Sequence, residues 1–230
     1  QGCQQLIIKA EGILAGVEVA KEVIRYFDPT LKIDQYLHDG DQVKKGDIAF
    51  RVTGSELSLL QIERTMLNIM QLMSGIATST HRYQSLIADT GCYVLDTRKT
   101  TPGLRYLEKE AVKIGGGKNH RIGLFDMILL KDNHVDFAGG ITAALTGARR
   151  YCQDKRLDLC IEIETRNFDE LREALSTGIP DRVMLDNYTP EATREAVQIV
   201  RQWEKENGKK VEIESSGGIT IDTIRDYALA

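Results

Sequence analysis

What this 230-residue chain lacks narrows it first. Its four cysteines, Cys3, Cys92, Cys152 and Cys160, form no C-x-x-C pair and no zinc-like spacing. That pattern argues against a structural zinc site and leaves reduced thiols in a cytosolic (cytoplasmic) compartment as the expectation. No stretch approaches the roughly 18 apolar residues of a membrane span, so no membrane partner is expected. With 30 Lys and Arg against 34 Asp and Glu and a pI near 5.7, nucleic acid is not expected as a general partner either. No G-x-G-x-x-G follows the first strand, so the usual mark of a dinucleotide fold is missing. No Ser/His/Asp or Cys/His arrangement offers a covalent nucleophile. The opening residues hold no charged n-region followed by an apolar h-region. Because the chain starts at Gln1 rather than Met, that observation says nothing about a leader.

What is present is concentrated between Asp96 and His134. These 39 residues carry eight Lys or Arg (Arg98, Lys99, Arg105, Lys109, Lys113, Lys118, Arg121, Lys131) against five acids, inside a chain of net charge −4. Among them lie His120, His134, Pro102-Gly103 and the run Gly115-Gly116-Gly117. Guanidinium forks and ammonium groups gathered among turn residues suit a small site for a multiply charged anion. A solvated basic face is the plainer reading. It accounts for Lys109 and Lys113, which alternate with Glu108 and Glu110 as on a helix surface, but not for Thr97-Arg98-Lys99-Thr100-Thr101 or Asn119-His120-Arg121.

A second pattern runs along the rest of the chain. Short apolar runs end in a charge: Tyr93–Leu95 at Asp96, Met127–Leu130 at Lys131, Leu157–Ile163 at Glu164, Val183–Leu185 at Asp186, and Val211 and Ile213 at Glu214. Helix-like segments such as Phe168–Thr177 and Pro190–Lys205 lie between them. Alternation of this kind predicts an α/β fold with a parallel sheet and right-handed crossovers. Near-continuous apolar runs predict that both sheet faces are covered. Polar residues at every strand end favour a closed β/α barrel over an open doubly wound sheet, because barrels assemble their sites there.

The first 75 or so residues read differently, as a small β-rich domain with turns at Gly12–Ala20 and Asp39-Gly40. Leu37–Asp47 resembles the hairpins of biotinyl and lipoyl carrier domains, but no Lys there stands between hydrophobic neighbours as a modifiable one would. A proline-free helix is predicted from about Glu56 to Ala88, with Ser74-Gly75 interrupting or kinking it. Arg64 falls on its apolar stripe between Leu57, Leu60 and Leu67, so it must meet an acid, a carbonyl or an anionic ligand.

Six blocks then occur in order: TRKTTPGLR (Thr97–Arg105), GGGKNHRIGL (Gly115–Leu124), ILLKDNH ending at His134, EIETR (Glu162–Arg166), LDN (Leu185–Asn187) and SGGI (Ser216–Ile219). AEGILAGVEVA (Ala10–Ala20) and IERTMLN (Ile62–Asn68) precede them. Together they resemble the quinolinate phosphoribosyltransferase family, the decarboxylating nicotinate-nucleotide pyrophosphorylases, over nearly the whole chain. The resemblance implies an N-terminal α/β sandwich domain, here residues 1–76, and a seven-stranded β/α barrel, here residues 77–230. Relative to the family pattern, both ends look incomplete. It also implies a homodimer, or a hexamer of dimers, with one subunit's first domain closing over its partner's barrel. The implied reaction converts quinolinate and phosphoribosyl pyrophosphate to nicotinate mononucleotide, pyrophosphate and carbon dioxide, with Mg²⁺ present, in de novo NAD biosynthesis.

Carried over residue by residue, Arg98, Lys99, His120, Arg121 and Lys131 match the family's substrate-binding positions. Arg64 matches the arginine donated across the dimer. Glu164 and Asp186 match the acids near the ribose hydroxyls and the metal, directly or through water. Ser216, Gly217 and Gly218 match a phosphate-binding turn, where backbone N–H groups approach an anion closely. Glu162 stands two residues from Glu164, and only one of the two is expected to face the site. His134 either acts directly or caps a loop. Glu214 is expected as an end-of-strand acid or a partner of Lys131 or Arg98. The glycine run is either a plain loop or a flexible edge to the site. Lys131, Glu164 and Asp186 are the expected catalytic residues, with Lys131 assisting proton delivery to the ring. The alternatives are a related phosphoribosyltransferase for another small anionic base and a non-catalytic relative.

Overall fold

The computed structural model describes residues 2–230, in two compact units that divide after His120. In the first unit, β5 (Ile48–Gly54) is the central strand of an antiparallel sheet between β1 (Gly2–Ile7) and β3 (Lys32–Gln35). A two-residue pairing joins β2 (Gly12–Ile13) to β4 (Gln42–Val43). The turn-rich reading of Gly12–Ala20 hid a helix, α1 (Val17–Phe27), which buries Val17, Ala20 and Ile24 at helical spacing. Its start is capped from a distance: Val17 N–H and Glu18 N–H donate to the Asp39 carboxylate, at 2.8 and 3.3 Å. Asp39 therefore serves a helix terminus as well as a turn.

Helix α2 (Glu56–Ser85) is continuous through Gly75. No kink is needed at Ser74, because its hydroxyl accepts from Ala15 N–H at 2.9 Å and donates to Ala15 O at 3.0 Å. The Thr78 hydroxyl, one turn on, accepts from Ile13 N–H at 2.9 Å. The buried stripe is Leu59, Ile62, Met66, Met70, Met73 and Ala77, which keeps Met70 and Met73 of the apolar recurrence read in the sequence but not Leu60. Leu57 and Leu60 are 67 and 66 % exposed, and Arg64 is exposed on the same face. A helix of this composition carries two apolar ridges, and the sheet takes only one of them.

α3 (Arg105–Ile114) packs on the second half of α2 through Leu107, Ala111 and Ile114, so this unit runs well past residue 76. The glycine run that follows lies close against α2 at two of its three positions. A Cβ on Gly115 would stand 2.4 Å from Ala77 O, and one on Gly117 would stand 2.9 Å from Thr80 Cγ2. Those glycines are the condition for close approach to α2.

The second unit is built from β6 (Ile128–Leu130), β7 (Ile161–Thr165), β8 (Arg182–Asp186) and β9 (Glu212–Ser216), parallel and adjacent in that order. Between and after them come α4 (Asp132–Ala138), α5 (Ile141–Lys155), α6 (Phe168–Ser176), α7 (Pro190–Asn207) and α8 (Ile224–Ala228). The β/α alternation is as the sequence predicts. The Tyr93–Leu95 strand is not: it contributes a single bridge, Leu95 to Lys118.

The two faces of the sheet differ in kind. Ile161, Ile163, Val183 and Leu185 pack with Leu145, Leu171, Leu175, Ala196 and Val200 of the helices. Burying each of the larger ones contributes roughly 1.5–3 kcal/mol. The opposite face carries most of the charged side chains, and Glu162, Met184 and Leu129 on it are buried. Register places Glu162, Arg182 and Glu212 in one row, Glu164, Met184 and Glu214 in the next, and Asp186 beside Ser216 at the carboxyl end. Side chains two apart on a strand share a face, so Glu162 and Glu164 lie on the same side of the sheet, with Glu162 fully buried.

Candidate functional site

The polar rows end in the residues singled out from the sequence. Lys131 follows β6, Glu164 is the fourth residue of β7, Asp186 ends β8, and Ser216 ends β9. Lys131 Nζ lies 3.7 Å from Glu164 Oε2, with the Lys131 side chain 45 % and the Glu164 side chain 12 % exposed. Oε2 makes no hydrogen bond, so Lys131 holds it by charge alone. Burial raises the Glu164 carboxyl above the ordinary range; Lys131 pulls it down, while Asp186 and Asp132 push it up.

Asp186 is tied to the turn after β9 through Asn187, whose backbone is left-handed with φ 57°. Asn187 Nδ2 donates to Asp186 Oδ2 at 2.8 Å, and Asn187 N–H donates to Ser216 O at 2.8 Å. Its Oδ1 lies 2.2 Å from where a Cβ on Gly217 would stand, and Gly217 itself has φ +95°. Gly218 follows at φ +66°. Two successive left-handed residues after a strand form a concave run of backbone of the sort that binds anions.

Two further side chains at this end have identifiable partners. His134 Nδ1 accepts from Lys131 N–H at 2.9 Å, the capping alternative, here for α4. Glu214 Oε2 sits 3.5 Å from Arg182 Nη1. Arg182, which the sequence reading passed over, also meets Glu212 at 2.6 Å and Glu162 at 3.8 Å. Glu162 is fully buried, so a charged row lies beneath the site. The cue was available in the chain, since Arg182 opens an otherwise apolar strand.

In the first unit, the Thr97–Thr101 segment is held by its own side chains. Arg105 Nε donates to Thr100 Oγ1 at 3.1 Å, and Lys99 N–H donates to Thr97 Oγ1 at 3.0 Å. Arg98 is half-buried and Lys99 exposed. His120 is 8 % exposed, and its N–H donates to Asp96 Oδ1 at 2.9 Å. Lys113 is the surface residue expected, paired with Glu110 at 2.8 Å. Lys109 is not: it is 2 % exposed and forms an ion pair with Asp96. Alternation with Glu108 and Glu110 misled because helical phase, not neighbouring charge, decides which face is buried. Arg121 opens the second unit, its Nη1 donating to Met127 O at 3.4 Å. Arg64 belongs to the exposed ridge of α2 already described.

Among the described residues no helix is long and apolar enough to cross a membrane, and all four cysteines are free.

Two family descriptions divide the chain between them: the quinolinate phosphoribosyl transferase N-terminal domain matches residues 2–74 and the C-terminal domain residues 76–230. A mitochondrial quinolinate phosphoribosyltransferase (decarboxylating) of Nicotiana tabacum is 40 % identical over 234 residues, covering 95 % of this chain and 64 % of its own length. The chain thus spans just under two thirds of that relative. A probable nicotinate-nucleotide pyrophosphorylase of Bacillus subtilis is 39 % identical, with 97 % of this chain and 74 % of the relative covered. Among solved structures, NadC from Streptococcus pyogenes matches with TM-score 0.89 and 37 % identity, over 98 % of this chain and 76 % of that one. Human nicotinic acid phosphoribosyltransferase, at 13 % identity and TM-score 0.71, shares the fold alone. With the two descriptions together covering this chain almost end to end, it is a member of the quinolinate phosphoribosyltransferase family.

Proposed function

We propose that the protein carries out decarboxylating phosphoribosyl transfer in NAD biosynthesis, taking quinolinate and phosphoribosyl pyrophosphate to nicotinate mononucleotide, pyrophosphate and carbon dioxide. The observation that carries this reading is the Lys131–Glu164 pair beside Asp186 and the left-handed Gly217-Gly218 turn after Ser216, all at the carboxyl end of one parallel sheet. By the family pattern, Arg98, Lys99, His120, Arg121 and Lys131 are the cations that two adjacent ring carboxylates require, more than a monocarboxylate such as nicotinate would need. Arg64 joins them from a partner subunit, which fits its exposure beside Leu57 and Leu60. Closure of the sheet into a seven-stranded barrel, a dimer or a larger assembly of dimers, domains dividing near residue 76, and a cytoplasmic location belong to the same reading.

Each step follows from where charge develops. Departure of pyrophosphate leaves an oxocarbenium-like carbon, so the protein must hold the ring nitrogen in line with that carbon and steady the leaving anion. Glu164 and Asp186 stand where ribose hydroxyls would be held, and the Gly217-Gly218 backbone offers N–H groups to phosphate. The donor set also fits Mg²⁺: two carboxylates, one with an oxygen that makes no hydrogen bond, are hard oxygen ligands of the kind that hold this ion together with waters and substrate phosphates. When bound, the ion would neutralise charge on the pyrophosphate. Once glycosylated, the ring nitrogen is cationic and accepts the electron pair released as the adjacent carboxylate leaves as carbon dioxide. Lys131 stands to assist protonation of that ring carbon.

Two results are expected here. Because burial raises Glu164 and the reading needs it ionised, kcat/KM should fall on acidification at a higher pH than an ordinary glutamate would produce. An acid limb at the usual carboxylate position would show that Glu164 does not act as an anion. Gly217→Ala should raise the KM for phosphoribosyl pyrophosphate about tenfold, since the new methyl group displaces Asn187 at a left-handed position. An unchanged KM would remove the turn from the phosphate site. The activity itself is tested by following mononucleotide and carbon dioxide together, with nicotinate as the control substrate. Release of both from quinolinate and neither from nicotinate is expected. No turnover of quinolinate would overturn the reading.

A further inference from the structure

Lys109 and Asp96 are the most deeply buried ion pair of the basic segment, with side chains 3 and 7 % exposed, and neither has a place in the chemistry above. Their partners are specific. Asp96 Oδ1 accepts from His120 N–H at 2.9 Å, and Lys109 Nζ donates to His120 O at 3.1 Å as well as to Asp96. Asn119 donates its side-chain amide to Asp96 Oδ2 at 2.7 Å and to Lys109 O at 2.8 Å. The backbone repeats the connection, with Lys118 N–H donating to Val94 O at 2.8 Å and Asp96 N–H donating to Lys118 O at 3.3 Å.

We propose that Lys109 and Asp96 are a positioning pair whose two charges grip the His120 backbone from both sides. They thereby fix Asn119 and His120 to the chain that launches Thr97-Arg98-Lys99, and so set the geometry of the cations that this unit offers to the dicarboxylate. A buried ion pair is a weak source of net stability against a hydrophobic replacement. Here it has a geometric role that such a replacement lacks, because only a donor and an acceptor together can hold both polar groups flanking His120. The α2–α3 packing supplies the rigid base: Lys109 projects from α3, and Gly115 and Gly117 seat the following chain against Ala77 and Thr80. This inference rests on the reading that His120 and its neighbours receive quinolinate.

The test starts from the unmodified chain, in which the His120 amide should exchange its hydrogen as slowly as the interior amides of α3. Fast exchange there would overturn the grip outright. Lys109→Met should then speed His120 exchange by about tenfold or more while the α2 amides stay protected. In the same variant the KM for quinolinate should rise about 10- to 100-fold, with the KM for phosphoribosyl pyrophosphate nearly unchanged. A purely structural role predicts instead a lower unfolding midpoint and a smaller active fraction with both KM values intact, and that result would overturn the proposal. If Lys109→Met does not fold, the double variant Asp96→Asn/Lys109→Met carries the test, since removing both charges costs less than removing one. The same selective KM rise is expected, and a normal quinolinate KM would refute the pair's role. A chain that protects His120 yet makes no product from quinolinate keeps the grip and loses only the substrate assignment.

Discussion

Arg182→Met is expected to cost about 3–5 kcal/mol of folding stability, the usual penalty for breaking a buried ionic group by removing one partner. The guanidinium lies within 3.8 Å of three carboxylates, Glu162, Glu212 and Glu214, and Glu162 is fully buried. Methionine keeps much of the volume, so lost charge rather than a cavity dominates the change. Urea unfolding at neutral pH measures the loss. A loss below about 1 kcal/mol at neutral pH, in the range of exposed pairs, would show that the polar row is solvated.

Lys131→Ala should slow release of carbon dioxide from the bound mononucleotide intermediate by about 100-fold or more, the scale of a positioned proton donor. Single-turnover assays that follow pyrophosphate and carbon dioxide separately distinguish this step from phosphoribosyl transfer. A second change accompanies it. Lys131 lowers the Glu164 carboxyl, so its removal should move the acid limb of the pH profile to higher pH. Unchanged decarboxylation would remove Lys131 from proton delivery, and an unmoved acid limb would deny the pair any electrostatic role.

The second unit was legible because its strands and helices alternate in sequence and its apolar runs stop at a charge. Met127–Leu130, Val183–Leu185 and Pro190–Lys205 lie within one to two residues of the elements they mark. Legibility failed where one residue has two duties or where phase decides the outcome. Asp39 looked like a turn residue and also caps α1; Lys109 looked solvated and is buried; Arg64 looked buried and is exposed. The charged face of the sheet was hidden because Ile-Glu-Ile-Glu reads as a run with one stray acid, whereas the pleat sorts it into two faces. The anion-site residues were readable as motifs. Arg182 and the Asp96–Lys109 pair carry no motif of their own.

The strand order of the second unit bears on how the chain assembles. Each strand from β6 to β9 lies beside the one made just before it, so every β/α unit can dock as soon as it is complete. In the first unit β1 finds its partner only in β5, after more than 40 intervening residues, with Gly2 opposite Gly54. Closing that longer loop must precede its reward, which makes it the slower event. On a ribosome the later sheet would therefore grow strand by strand in step with synthesis, whereas β1 must wait with an open edge until β5 emerges.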